Sequence, residues 1–191
     1  MIPKPCSKNK KWFMINSNFN PSDKNTHSYF MEQAIELAKI ALDGREIPVG
    51  AIVVDEDGTI IGTGYNQVET NQTQIRHAEI IALEQAAQTK KDWRLSKCWL
   101  YVTLEPCLMC LGAISLSRLE GIAFGATSPD FGGLKMLDLD GKSVYLKNLM
   151  LLRGLKENQC VDMLKVFFKR ARGEEYCEST SSLSGKDQNH S

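Results

Sequence analysis

Four side chains in the middle of this sequence could do chemistry together: His77 and Glu79 in His77-Ala78-Glu79, and Cys107 and Cys110 in Pro106-Cys107-Leu108-Met109-Cys110. Residues three apart on a helix share one face, so the two sulfurs can grip one ion. The positive end of the dipole at a helix start stabilises the thiolates that bind metal. With His77 they make three protein ligands, a set with which zinc keeps a fourth, open position for water, as a catalytic site requires. Zinc lowers the pKa of that water towards ~7. Glu79, which is not a ligand in this reading, would take the water's proton and pass protons on through the reaction as general base and acid. One Zn2+ per chain is therefore expected. His77 and Glu79 would diverge inside a helix, so the motif requires the metal to sit beyond the first turn.

A Cys-x-x-Cys on its own serves a structural zinc or a pair of buried thiols equally well, and a thioredoxin-type redox pair is a further reading. A structural zinc normally has four ligands. The other cysteines are distant: Cys6 and Cys177 fall in segments without core pattern, Cys98 in a predicted strand and Cys160 near a helix start. His-x-Glu together with Pro immediately before Cys-x-x-Cys favours the catalytic reading. His27 and His190 lie in or near segments expected to be loosely ordered and are given no role.

The elements that must position these residues follow from periodicity. Met31, Ala34, Ile35, Ala38, Ala41 and Leu42 recur at helical spacing, with Thr26 or Ser28 as cap and Gly44 as stop. Val49–Asp55 and Thr59–Tyr65 are β-branched runs joined through Asp57-Gly58, a hairpin signal. A polar loop from Asn66 to Arg76 leads to a helix over His77–Ala87. Cys98–Thr103 reads as a strand, and Pro106 suits the first turn of a helix running to about Ser117. Gly121–Ala126 is the next strand, followed by a Gly-rich loop over Ser128–Gly133 and a strand at Leu149–Arg153. A last helix, capped by Asn158, reaches Arg172. Strands alternating with helices give an α/β layered sheet, mixed because it begins with a hairpin. Ligands in such sheets bind outside the carboxyl ends of strands.

The length suits one domain, over residues 27–172. Residues 1–26, rich in Lys, Asn, Ser and Pro, read as a flexible extension within which Met14 is an alternative start, and the Ser-rich 173–191 as a disordered tail. Lys plus Arg equals Asp plus Glu, so no overall positive field draws in nucleic acid, and an anionic partner must be held by a local patch. The scattered cysteines imply a reducing, cytoplasmic setting. No secretory signal pattern and no apolar run of the ~20 residues of a membrane span is found.

The sequence resembles the cytidine and deoxycytidylate deaminase superfamily, which carries His-x-Glu and Pro-Cys-x-x-Cys as its signature, and more narrowly the bacterial-type tRNA-specific adenosine deaminases. The resemblance spans Tyr29 to Arg172. It rests on Glu46-Ile47-Pro48-Val49-Gly50-Ala51, Gly64-Tyr65-Asn66, His77-Ala78-Glu79-Ile80, Tyr101 through Cys110, Gly112-Ala113-Ile114, Ser117-Arg118 and Phe124-Gly125-Ala126. It implies a three-layer α/β/α fold around a mixed five-stranded sheet, a homodimer, and conversion of the wobble adenosine of a tRNA anticodon loop to inosine. By the same resemblance Asn66 would hydrogen-bond the flipped base with the backbone of Ala78 close to it, and Pro48 and Val49 would line the pocket. The family's last helix sets aromatic and basic residues against RNA. Phe167-Phe168-Lys169-Arg170-Ala171-Arg172 matches loosely, the other reading being core phenylalanines and a solvated basic face.

Many members of that family place an acidic residue facing the substrate ribose two positions after Phe-Gly-Ala, where this chain has Ser128. Within the loop Thr127–Gly133 the Ser128 hydroxyl can donate or accept a hydrogen bond to a 2′-hydroxyl, where a carboxylate only accepts. The same zinc and glutamate would also serve a deaminase of a free base or nucleotide, such as guanine or deoxycytidylate. A non-catalytic, zinc-stabilised RNA-binding module is the third possibility, against which Glu79 speaks because a structural site needs no proton shuttle.

Overall fold

The computed structural model describes residues 23–134 and 149–173. The expectations for the N-terminal extension through residue 22, for the C-terminal tail beyond residue 173, and for Cys6, Cys177 and His190 lie outside the described residues. The chain runs α1 (Lys24–Asp43), β1 (Gly50–Val54), β2 (Ile60–Tyr65), α2 (Val68–Asn71), α3 (Ala78–Lys90), β3 (Trp99–Leu104), α4 (Leu108–Leu116), β4 (Gly121–Ala126), β5 (Met150–Leu152) and α5 (Glu157–Ala171).

The sheet has the order β2-β1-β3-β4-β5. β1 pairs antiparallel with β2 and β3, while β3, β4 and β5 are parallel. It is therefore mixed, as the hairpin signal implied. Side chains alternate across a strand, and both faces of this sheet are covered. Val53, Leu100, Val102, Ile122 and Phe124 pack with Ala78, Ala82, Leu111 and Ile114 of α3 and α4. Ile52, Val54, Trp99, Tyr101 and Ala123 pack with Phe30, Met31 and Ala34 of α1 and with Cys160 and Leu164 of α5. The result is the three-layer α/β/α sandwich.

Two close approaches seat α3. A Cβ on Gly64 would lie 2.2 Å from the Ala78 carbonyl oxygen, and one on Gly62 2.2 Å from that of Ala82. With Ala78, Ala82 and Ala86 fully buried on the facing side of the helix, α3 rests directly on the β2 backbone. This contact fixes the height of the α3 N-terminus above the sheet.

Several local expectations are corrected. Asp23, not Thr26 or Ser28, caps α1: its carboxylate accepts from the backbone N–H of Asn25 and Thr26 at 3.0 and 3.3 Å and from the Thr26 hydroxyl at 2.7 Å. A carboxylate one turn upstream satisfies the first amides, so Thr26 and Ser28 fall inside the helix. His27 is not in a loose segment but is buried, its Nδ1 2.8 Å from the Tyr101 hydroxyl and its ring against Trp99. α5 is capped by Lys156 at φ 52° rather than by Asn158, and the polar loop after β2 contains the short α2. Among the described residues no helix is long and apolar enough to cross a membrane.

Candidate metal centre and active-site cavity

His77 and Cys107 are each the residue just before a helix, in extended conformation (φ −71°, ψ 150° and φ −71°, ψ 170°), and Glu79 and Cys110 lie in the first turns that follow. This meets the geometric condition on His-x-Glu: His77 stands off the end of α3 and need not share a helical face with Glu79. Both helix N-termini, with their unpaired amides and positive dipole ends, converge on one point.

His77 Nδ1 lies 3.6 Å from Cys107 Sγ and 3.5 Å from Cys110 Sγ. The three ligand atoms all lie within 4.8 Å of one another. Tetrahedral zinc, with bonds of about 2.3 Å to sulfur and 2.0 Å to nitrogen, needs N···S edges of roughly 3.5 Å. Both nitrogen–sulfur distances match that edge, and the donor set fits zinc.

Its electrostatics point the same way. Cys107 is pulled down to about 4, chiefly by its hydrogen bond with Cys110, and also by His77. Cys110 is pushed up by that same hydrogen bond and by burial, so the metal-free pair holds one negative charge and a cation is needed to hold two. His77 is raised, first by its hydrogen bond with Cys107. Glu79 is 4% exposed, and burial raises its pKa, with the nearby His77 opposing.

His77, Glu79 and Cys107 open into a cavity of about 650 Å³. Of the residues the sequence pointed to, Asn66, Val49 and Ser128 line it. Pro48 and Ala78 are buried and do not: Pro48 lies behind the wall, its carbonyl 3.5 Å from the Thr103 hydroxyl, and Ala78 sits under α3. Phe167 and Phe168 belong to the cavity wall and not to either core cluster, Phe168 being 46% exposed. Thr127–Phe131 form a further part of the wall. Its backbone is clamped: Glu105 Oε2 accepts from Ser128 N at 3.0 Å, the Ser128 carbonyl from Gly132 N at 2.9 Å and the Pro106 carbonyl from Gly133 N at 3.0 Å. Phe131 is 78% exposed at the rim.

Sequence reasoning missed Glu46 and Glu105 as wall residues, whereas Phe131 lies in the Thr127–Gly133 loop expected beside the pocket. Glu46 and Glu105 each precede a proline-containing turn and follow no helical or strand period. Only an acidic residue in an otherwise apolar turn signals them.

Residues 24–126 match the model of the cytidine and deoxycytidylate deaminase zinc-binding region. The chain is 37% identical over 153 residues to a tRNA-specific adenosine deaminase of Streptococcus pyogenes serotype M1, covering 80% of this chain and 89% of the relative. It is 39% identical over 145 residues to the tRNA-specific adenosine deaminase of Bacillus subtilis strain 168, covering 75% and 89%. A solved structure from work on A-to-I editing by tRNA:A34 deaminases at the wobble position superposes with a TM-score of 0.67 at 31% identity, covering 72% of this chain and 99% of that one.

Proposed function

This chain belongs to the cytidine and deoxycytidylate deaminase family and, within it, to the tRNA-specific adenosine deaminases, and from that membership we propose that it hydrolyses adenosine to inosine at the wobble position of a tRNA anticodon. The observation that carries the reading is the union, in one cavity, of a three-donor zinc set and a buried carboxylate that is not part of it. Among the described residues no fourth ligand joins the three donors, whereas a closed structural zinc normally has four.

His77, Cys107 and Cys110 hold Zn2+, which supplies a Lewis acid that makes water nucleophilic near neutral pH. Glu79 moves the protons. It takes one proton from the water that attacks C6 of the base and delivers it to the ring nitrogen, then takes the remaining proton of the new C6 hydroxyl and passes it to the amino group as the C6–N bond breaks, the carbonyl forms and ammonia leaves. Its burial suits this role, because burial raises the carboxyl's pKa and so brings its protonated and ionised forms closer in free energy. Asn66 contacts the base and Ser128 the ribose, while Val49 and Pro48 support the wall that receives them. The cavity volume suits a nucleobase with its sugar, and Phe167 and Phe168 offer neighbouring bases an aromatic wall.

A homodimer in the cytoplasm is part of this reading. Trp93 and Leu116 are exposed beside a surface cleft between α3 and α4 that Ile80 and Leu83 also line, an apolar face of the kind subunits cover. Light scattering over a concentration series tests it.

Zinc-loaded protein incubated with an anticodon stem-loop carrying wobble adenosine should yield inosine, read by sequencing. Free adenosine, cytidine and guanine, and a duplex holding the same adenosine, should react far more slowly, because remote RNA contacts position the base. Faster ammonia release from a free base would install the small-molecule alternative, and zinc binding without turnover on any of them would leave the binding module.

A further inference from the structure

We propose that Glu46 is a positioning residue for deamination: its buried carboxylate fixes which way round the Asn66 carboxamide sits and pins the segment that joins Asn66 to His77. The proposal rests on the reading of Asn66 as the residue that contacts the base.

Glu46 is 1% exposed in the cavity wall, where a carboxylate is costly unless hydrogen-bonded. Three donors from a different part of the chain converge on it. Oε2 accepts from Asn66 Nδ2 at 3.1 Å and from the backbone N–H of Glu69 at 3.2 Å, and Oε1 accepts from that of Thr70 at 2.7 Å. Glu46 is itself fixed by its N–H donating to the Ala41 carbonyl at 2.9 Å, at the end of α1.

The two ends of a carboxamide have nearly one shape and opposite hydrogen-bonding character. Because Glu46 offers Asn66 only acceptors, Nδ2 must face it. Asn66 is then left with its second Nδ2 hydrogen and its Oδ1 in a single arrangement for a ligand. Its backbone is fixed from the other side, N–H to the Val49 carbonyl at 2.9 Å. Glu69 and Thr70 belong to α2, whose own preceding residue, Gln67, makes no side-chain cap. The Gln67 N–H donates to the Arg76 carbonyl at 3.0 Å and closes this segment one residue before His77. One carboxylate thus orders a base-contacting side chain and the approach to a metal ligand.

The competing role is that Glu46 merely caps α2. A double-mutant cycle on the zinc-loaded protein separates the two, using Glu46→Gln, Asn66→Ala and the double variant, with kcat/KM measured on the wobble-adenosine stem-loop. Gln has one acceptor oxygen and must turn a donor towards the cluster. If Glu46 acts through Asn66, E46Q costs about tenfold or more in the native background and less than about twofold once Asn66 is Ala. Equal losses in the two backgrounds, or a fully active E46Q, overturn the proposal. A wild-type protein inactive on the stem-loop would refute the wobble reading instead. For that case, and should E46Q fail to fold, side-chain amide hydrogen exchange in the wild-type protein gives a readout without turnover. One Asn66 Nδ2 hydrogen should be strongly protected, its signal assigned by its loss in N66A. An Asn66 amide exchanging at the rate of exposed asparagines overturns the proposal.

Discussion

A single added methyl at Gly64 should disable the site although it touches none of its side chains. The Cβ of Gly64→Ala would sit 2.2 Å from the Ala78 carbonyl oxygen, 2.8 Å from Ala82 N and 3.0 Å from Ile81 Cβ, about 1.2 Å short of ordinary contact at the closest point. The two closest of these are backbone atoms of α3, so relief comes by lifting the start of α3 off β2. Overpacking of this kind costs about 1–3 kcal/mol, or a fall in Tm of roughly 3–10 °C for a domain of this size. Ala78 lies between His77 and Glu79, so the lift moves the proposed metal ligand and the proposed proton carrier together. Metal sites tolerate only about 0.2 Å, and misplacement by about 1 Å costs around 10²-fold in turnover. Gly62→Ala provides the comparison, since its Cβ meets Ala82 O and Ala86, about one helical turn further from His77. It should lose as much Tm and less turnover. Gly112→Ala, in α4 with nothing within 4 Å, should gain about 0.5–1 kcal/mol from helix propensity. Thermal melts, zinc content and single-turnover rates well below Tm check all three. Wild-type turnover in G64A, or equal turnover losses in G62A and G64A, would refute the account of how α3 is seated.

Glu79→Gln should keep zinc and Tm and lose turnover by about 10²–10⁴-fold, and near-normal turnover would remove Glu79 from the proton path. Changing both Cys107 and Cys110 to Ser should abolish stoichiometric zinc, and full retention in elemental analysis would contradict the ligand set. In the metal-free protein Cys110 is pushed up and holds its proton at neutral pH while Cys107, at about 4, does not. Binding must therefore expel at least one proton, and zinc affinity should rise about tenfold per pH unit near neutrality; chelator competition showing no pH dependence would refute this. Ser128→Ala should weaken kcat/KM on the RNA stem-loop by about 0.5–1.5 kcal/mol and matter much less when the reactive nucleotide is deoxyadenosine. Equal losses on both would show that Ser128 does not read the sugar.

The cluster of His77, Cys107 and Cys110 that the structure brings together could be expected from the sequence because each half is a local motif: Cys107 and Cys110 share a turn, and His77 and Glu79 flank a helix start. The strands were legible because the sheet is buried on both faces and its runs are apolar and β-branched. Caps were misjudged where two capable residues competed, as with Asp23 over Thr26, since only the fold tells which amides remain unpaired. Burial was misjudged for His27, whose partner Tyr101 is 74 residues away. Glu46 was unreadable for the same reason, its three donors lying 20 to 24 residues downstream. Non-local pairing of polar groups leaves no periodic trace.

The two kinds of residue in the cavity also differ in what holds them, and this has a consequence for how the site can vary. The proposed zinc donors and Glu79 sit at the N-terminal ends of α3 and α4, helices that pack through Ala78, Ala82, Leu111 and Ile114 against one face of the sheet. The walls that would meet the nucleotide come from elsewhere: Asn66 from the end of β2, Ser128 and Phe131 from the clamped loop after β4, and Phe167 and Phe168 from α5, which packs on the opposite face. Substitutions in one layer therefore need not disturb the other. Phe168 is exposed and absent from both core clusters, so Phe168→Ala should leave zinc content and Tm unchanged. Its loss should appear on the stem-loop, at about 1–3 kcal/mol if the ring stacks on a base, and not in the slow reaction of free adenosine. Equal fractional losses on the two substrates would mean that α5 supports the zinc layer after all, and that chemistry and recognition are not separable in this fold.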